Sequence, residues 1–182
     1  MQGQLADKRQ CRHIQDMMIP RLRFALLICA LASAGVVGLA LASERYGGLV
    51  PCALCLVERW PYRLTAAMAL VGLVLPRRGG WVMLVLCILM LLAAATAGFV
   101  HVGVEQHWWL SPLPECMAPN FTGMTIAERL AHMPARPSKA CEDPTYLIPF
   151  LPVSMAAMNM LYALALSGGL TTFALRNRRS PP

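Results

Sequence analysis

Charge is scarce in this chain. Only 14% of its 182 residues are Asp, Glu, Lys or Arg, where a soluble domain carries about 25%. The deficit extends over most of the chain rather than marking one core, and mean hydropathy is +0.53, which excludes an ordinary soluble globule and points to a membrane protein. Acidic residues are scarcest, nine against sixteen basic ones, for a net charge of +7. A nucleic-acid surface would gather that excess into a stripe with aromatics. Here the basic residues stand at the ends of apolar runs, so no nucleic-acid partner is expected. Internal repeats are lacking. Seven cysteines are too few to define a disulfide scaffold by density. No two histidines fall on different apolar runs at matching depth, so no haem-ligand pair is expected.

What the chain has is four apolar runs, at 24–42, 56–75, 81–104 and 153–175, each near the roughly 20 residues that cross a hydrocarbon core. The second is the weakest, with Glu58, Arg59, Pro61 and Arg63 in its first two turns. Those charges must lie at the interface or have a purpose there. The fold class is therefore all-α, a four-helix transmembrane bundle. Lys8, Arg9, Arg12, Arg21 and Arg23 precede the first run, Arg77 and Arg78 join the second and third, and Arg176, Arg178 and Arg179 follow the fourth. This bias predicts that both termini are cytoplasmic and two loops lie outside. Trp60, Trp108 and Trp109 suit an outer aromatic belt and Trp81 an inner one.

The expected organisation is a cytoplasmic extension over 1–20, the membrane domain over 21–175 with outer loops at about 43–55 and 105–152, and a cytoplasmic tail over 176–182. Arg21, Arg23 and Ala40-Leu41-Ala42 also fit a signal peptide, but a cleaved apolar region spans about 7–15 residues and this run has 19. Cleavage would leave both outer loops on the same side. Met17 or Met18 is an alternative start, which would exclude Cys11. In the proline-rich second outer loop, Thr125-Ile126-Ala127-Glu128 reads as a capping box opening a short helix. Ile126, Leu130 and Met133 then share a face, either on the membrane surface or against the loop itself.

The cysteines divide by this topology. Cys11 is cytoplasmic and expected to be reduced; Cys29 and Cys87 lie within spans, as small buried hydrophobes. Cys52, Cys55, Cys116 and Cys141 all fall in the outer loops, and an even number in an oxidising compartment suggests two disulfides. Cys52-Ala53-Leu54-Cys55 has the spacing of a redox dithiol and opens a helix, whose N-terminus stabilises a thiolate. Cys55, nearer the helix, is expected to be the more acidic. Arg59 follows one turn later, as a cation for a quinone carbonyl, a partner for Glu58, or an anchor to headgroups. Cys116 and Cys141, with 24 residues between them, can form a purely structural bond. A four-cysteine zinc site is disfavoured because such sites show two close spacings, and no metal is expected. His101 either gates protons or caps its helix.

These residues resemble the DsbB disulfide-formation proteins of the bacterial inner membrane. The resemblance covers about 21–175 and rests on Cys52-Ala-Leu-Cys55-x-x-Glu58-Arg59, on His101-Val102, on Cys116 and Cys141, and on the Leu-Pro-Val-Ser-Met run ending at Met155. It implies a thiol:quinone oxidoreductase on the periplasmic side that reoxidises a DsbA-like periplasmic partner. By the resemblance, Cys116 is attacked by the partner's thiolate, Cys141 exchanges with Cys52, and Cys55 passes electrons to ubiquinone or menaquinone beside Arg59, with His101 tied to the quinone step. The exchange at Cys116 is expected to be remote from the second helix. Tyr146 stands where the family often has Trp, and Pro149 and Pro152 replace a segment that often contains Gly; these departures concern the docking surface and leave the cysteines unchanged. Two rival readings remain: a reductant carrier running electrons the other way, and a non-catalytic membrane protein whose outer cysteines bind metal or staple loops.

Overall fold

The computed structural model describes the backbone of residues 2–116, 125–131, 139–146 and 152–178, and the side chains among 19–116, 125–128, 139–146 and 152–177. The helices follow the apolar runs and outrun them. α1 spans Gln2–Gly47, with Pro20 inside it, where the run alone predicts 24–42. Residues 41–46 contain no Gly or Pro, so the backbone ladder continues until Gly48 adopts the left-handed φ of 64° that closes a helix. The Leu49 N–H then returns to the Ser43 carbonyl at 3.3 Å. The extra turn carries Glu44 into the structured bundle.

α2 spans Ala53–Val74 and α3 spans Arg77–Glu105, separated by only two residues. Pro76 is the N-cap of α3, a position where a missing N–H costs nothing. The short α4, Ile126–Ala131, begins at the expected capping box: the Thr125 N–H and hydroxyl both donate to Glu128 Oε2 at 2.8 Å. These bonds hold the Glu128 carboxyl below the usual carboxylate range. The face shared by Ile126, Leu130 and Met133 falls partly outside the described residues. α5 spans Met155–Arg178, and Ser154 Oγ caps it by accepting the Ala157 N–H at 3.2 Å. No named strand occurs among the described residues.

Three stretches, Ile19–Gly47, Arg77–Glu105 and Met155–Asn177, are long and apolar enough to cross a membrane. α2 is the fourth long helix, and Glu58, Arg59 and Arg63 set its composition apart. α1 packs on α2, α2 on α3 and α3 on α5, while α1 and α5 barely meet. One link between them is Tyr162, whose hydroxyl donates to the Ala32 carbonyl at 3.2 Å. Leu26, Cys29, Tyr62, Leu84, Cys87 and Leu91 are buried in the shared core. At Gly98 a Cβ would sit 3.2 Å from the Met160 backbone, so a side chain there would push α3 and α5 apart.

The up-and-down order puts the end of α1, the start of α2, the end of α3 and the start of α5 at one end of the bundle, and the start of α1 and the end of α5 at the other. Trp81 stacks on Phe173 near the termini. At the other end Phe99, Trp108 and Trp109 form an aromatic cluster. Trp109 lies over Gly103, where a Cβ would come within 1.9 Å of the ring, and its indole N–H donates to the Val100 carbonyl.

Candidate functional site

The site is assembled where α2 begins. Cys52 is the N-cap, in extended conformation, and its sulfur accepts the Cys55 N–H at 3.2 Å. The helix therefore offers its free N–H groups to Cys52, not to Cys55. This corrects the expectation from sequence order: the capping residue just outside a helix meets the first-turn donors, and here that residue is Cys52. The two sulfurs stand 2.8 Å apart as free thiols. Cys52 is buried and Cys55 half-buried.

The second cysteine pair is joined. Cys116 and Cys141 form a disulfide, reinforced by the Cys141 N–H donating to the Cys116 carbonyl at 3.2 Å. Both are buried in one cluster with Cys52, Leu54 and Val104. A β-bridge between Cys52 and Lys139 draws the loop onto the head of α2, and Lys139 is itself held by the Pro144 carbonyl and the Thr145 hydroxyl, both at 3.2 Å. The loop pair is thus not remote from the second helix. It packs against it, because burying two half-cystines beside Leu54 and Val104 removes apolar surface from water. Tyr146 remains half exposed, and Pro149 lies outside the described residues.

His101 reaches the same point from α3. It is 2% exposed, with Nε2 3.5 Å from the Cys52 sulfur and Nδ1 2.7 Å from Glu58 Oε1. Its position inside α3 replaces the capping alternative with contact to a cysteine. Glu58 is buried too, and its second oxygen accepts the Asn159 amide of α5 at 2.7 Å. Asn159 Oδ1 in turn accepts the Tyr62 hydroxyl at 2.7 Å. Among the described residues, this chain of hydrogen bonds ties α2, α3 and α5 together, each side chain in it finding a partner, as a buried polar network requires.

Arg59 is buried and pairs with Glu44 of α1, not with Glu58. One turn further on, Arg63 lies over the Trp60 ring at 5.5 Å, an outward cation–π contact. On the inward side, Cys55, Glu58, Arg59, Tyr62, Asn159 and Tyr162 rim a cavity of about 360 Å³, with Val36, Leu39, Met155 and Met158 among its apolar walls. It lies between α1, α2 and α5, where α1 and α5 part.

The expected residues Cys52, Cys55, Arg59, His101, Cys116 and Cys141 therefore gather at one end of the bundle. Cys29 and Cys87 lie elsewhere, fully buried in the core, the Cys87 thiol directed at the Thr65 carbonyl at 3.6 Å. Sequence reasoning missed Glu44, Tyr62 and Asn159 altogether. It also missed Glu105 of α3, whose Oε2 accepts the Ser154 hydroxyl at 2.5 Å. Glu58 carried a signal, a carboxylate inside an apolar helix, but not the identity of its partners.

A family model described as disulfide bond formation protein DsbB matches residues 22–173. The chain is 35% identical over 107 residues to a disulfide bond formation protein B of Verminephrobacter eiseniae (strain EF01-2). That match covers 56% of each chain, so it spans little more than half of the relative's length. No solved structure matches. With the family model reaching into all four long helices and covering both cysteine pairs, the chain belongs to the DsbB family of disulfide bond formation proteins.

Proposed function

We propose that the chain is a four-span thiol:quinone oxidoreductase of the bacterial inner membrane, with both termini cytoplasmic, both cysteine pairs periplasmic, and a DsbA-like dithiol protein as its electron donor. One observation carries the reading. The loop disulfide packs in one cluster with Cys52, and Cys55 lines the cavity beside Arg59. The Cys52–Cys55 pair thus touches both the cluster of the loop disulfide and the lining of the cavity.

The exchange steps follow from that packing. The partner's thiolate attacks Cys116, a new disulfide forms between them, and Cys141 leaves as a thiolate. Cys141 then attacks Cys52 of an oxidised Cys52–Cys55 pair and releases Cys55. The partner's second thiol resolves the bond to Cys116, and closure of Cys116 on Cys141 frees Cys52. The partner leaves oxidised, with two electrons now held on Cys52 and Cys55.

Energetics demands this coupling. An ordinary structural disulfide lies below about −300 mV and a DsbA-type oxidase near about −120 mV, an uphill gap of about 8 kcal/mol for two electrons. A loop disulfide of that ordinary potential oxidises such a partner only if Cys52 draws the electrons onward, and the packing of Cys116–Cys141 against Cys52 favours that capture.

The cavity fits a quinone: its volume is within the range of small-molecule sites, its walls are mostly apolar, and a few polar groups converge on one rim. A quinone bound there supplies the two-electron oxidant, whether ubiquinone or menaquinone. Arg59 is placed to donate a charge-assisted hydrogen bond to a carbonyl oxygen. Cys55 faces the same space. His101, between Cys52 and Glu58, is placed to take and return the thiol proton.

Purified protein should oxidise a periplasmic DsbA-like dithiol protein only when quinone is supplied, with one quinone consumed per disulfide formed. Oxidation at the same rate without quinone, under anaerobic conditions, would overturn the reading. The orientation has its own test. In a cysteine-free chain, Tyr46→Cys and Leu110→Cys, both at exposed positions, should be labelled in intact cells by a membrane-impermeant maleimide. Pro76→Cys, exposed at the other end, should be labelled only after lysis. Labelling of Pro76→Cys from outside inverts the topology and removes the periplasmic partner.

A further inference from the structure

The reduced Cys-x-x-Cys has a third potential ligand that its sequence neighbourhood does not contain. The sulfurs of Cys52 and Cys55 and a ring nitrogen of His101 all lie within 4.8 Å of one another. A tetrahedral zinc ion with Zn–S of about 2.3 Å and Zn–N of about 2.0 Å holds sulfur and nitrogen about 3.5 Å apart and two sulfurs about 3.8 Å apart. The Cys52–His101 distance is 3.5 Å, already at that value. The Cys52–Cys55 distance is 2.8 Å, so the thiols need to open by about 1 Å to meet the geometry.

The surroundings of His101 fit the same role. A metal-bound imidazole usually donates its other N–H to a carboxylate, which fixes the tautomer and raises ligand basicity. Glu58 occupies that position at 2.7 Å from Nδ1. Asn159 holds the carboxylate from behind at 2.7 Å. With Nδ1 protonated, Nε2 presents its lone pair toward Cys52. Two thiolates and a neutral imidazole bring a divalent ion to zero net charge, which suits a buried site. Cys55 borders the cavity, which leaves the fourth position there for water.

We propose that the reduced protein binds one Zn2+ through Cys52, Cys55 and His101, with Glu58 as the positioning carboxylate, and that this binding competes with disulfide formation. The balance is simple: two thiols and Zn2+ give a dithiolate complex and two protons, with no change of oxidation state. Once Cys52 and Cys55 are joined, neither sulfur is available as a thiolate, so the site exists only in the reduced state. Binding stands independently of the proposed electron relay; the inhibition that follows from it rests on that reading.

Co2+ is the probe, because thiolate ligation and tetrahedral geometry both give it characteristic absorption. The full chain is used in detergent, reduced and then freed of reductant without oxygen. A Cys116→Ser/Cys141→Ser background removes the loop thiols. One equivalent of Co2+ should produce thiolate charge-transfer and tetrahedral d–d bands, and Zn2+ should displace it. Cys52→Ser and His101→Ala should lose the d–d pattern while circular dichroism shows unchanged helix content. Glu58→Gln should keep the bands but weaken affinity by about 10–100-fold. Cys29→Ala/Cys87→Ala should change neither. Bands that survive His101→Ala, or the absence of thiolate bands in the reduced parent, overturn the site. In the parent with all its cysteines, one equivalent of Zn2+ should halt the quinone-dependent turnover, and full activity with the site loaded overturns the competition. Turnover without metal is measured separately, so failure of the relay and failure of the metal site give different results.

Discussion

Serine at Cys52, Cys55, Cys116 or Cys141 should reduce quinone-dependent turnover to the uncatalysed rate, whereas Cys29→Ala and Cys87→Ala should keep most of it. Thiol–disulfide exchange needs a sulfur nucleophile and a sulfur leaving group at every step. A hydroxyl at pH 7 is neither, so no position in the relay tolerates the change. Cys29 and Cys87 occupy the core, outside both the cluster of Cys52, Cys116 and Cys141 and the cavity lining. Their loss removes packing atoms and the Cys87 thiol's contact with the Thr65 carbonyl, away from the relay. The measurement is steady-state oxidation of the partner dithiol at matched protein levels. Cys116→Ser and Cys141→Ser are the decisive pair, since their disulfide also ties the loop to α2. If both variants run at the parent rate, the bond is a staple and electrons enter elsewhere.

Arg59→Ala should lower kcat/KM for quinone by about 10–150-fold, the equivalent of a lost hydrogen bond to a charged group at about 1.5–3 kcal/mol. The guanidinium is buried at the cavity rim, anchored on one side by Glu44. That anchor holds the planar fork in place and leaves further N–H donors for the cavity. Arg59→Lys should recover only part of the rate, because a compact ammonium cannot bond Glu44 and a carbonyl in the same plane. A single turnover of thiol exchange between the partner and Cys116 should survive in Arg59→Ala, since Arg59 borders the cavity and not the loop disulfide. Arg63→Ala is the control: its contact is the outward face of Trp60, so quinone kinetics should hold while anchoring weakens. Parent quinone kinetics in Arg59→Ala would assign Arg59 to the Glu44 pair alone.

The long helices were legible because each announces itself by an apolar run. α2 was the hard one, and for the reason that makes it interesting: Glu58 and Arg59 interrupt its pattern. Their partners come from α1, α3 and α5, between 15 and 101 positions away, and no spacing rule reaches that far. Cys52, Cys55, Cys116 and Cys141 were legible as a group from count and place. Their packing was not, because the contact of Cys116 and Cys141 with Cys52 depends on how the loop folds back through Lys139. The assignment of the helix N-terminus to Cys52 turned on a boundary. The apolar run starts at residue 56 and the helix at Ala53, and a shift of three residues changes which sulfur meets the free N–H groups. Glu44 was assigned to a loop for the same reason: hydropathy marks where a membrane would end, and Gly48 marks where α1 does.

The parting of α1 and α5 has a consequence for how affinity at this cavity should be expressed. A lipophilic ligand entering through that gap arrives sideways from the hydrocarbon, without crossing water. The concentration that governs its binding is then its mole fraction among lipids, and a KM quoted per volume of buffer mixes binding with partition. Adding inert detergent or lipid at constant total ligand should raise the apparent KM in proportion, as surface dilution requires. In a cell, the redox poise of the membrane pool and its lateral diffusion would set occupancy, and the protein would respond to the bilayer as its solvent.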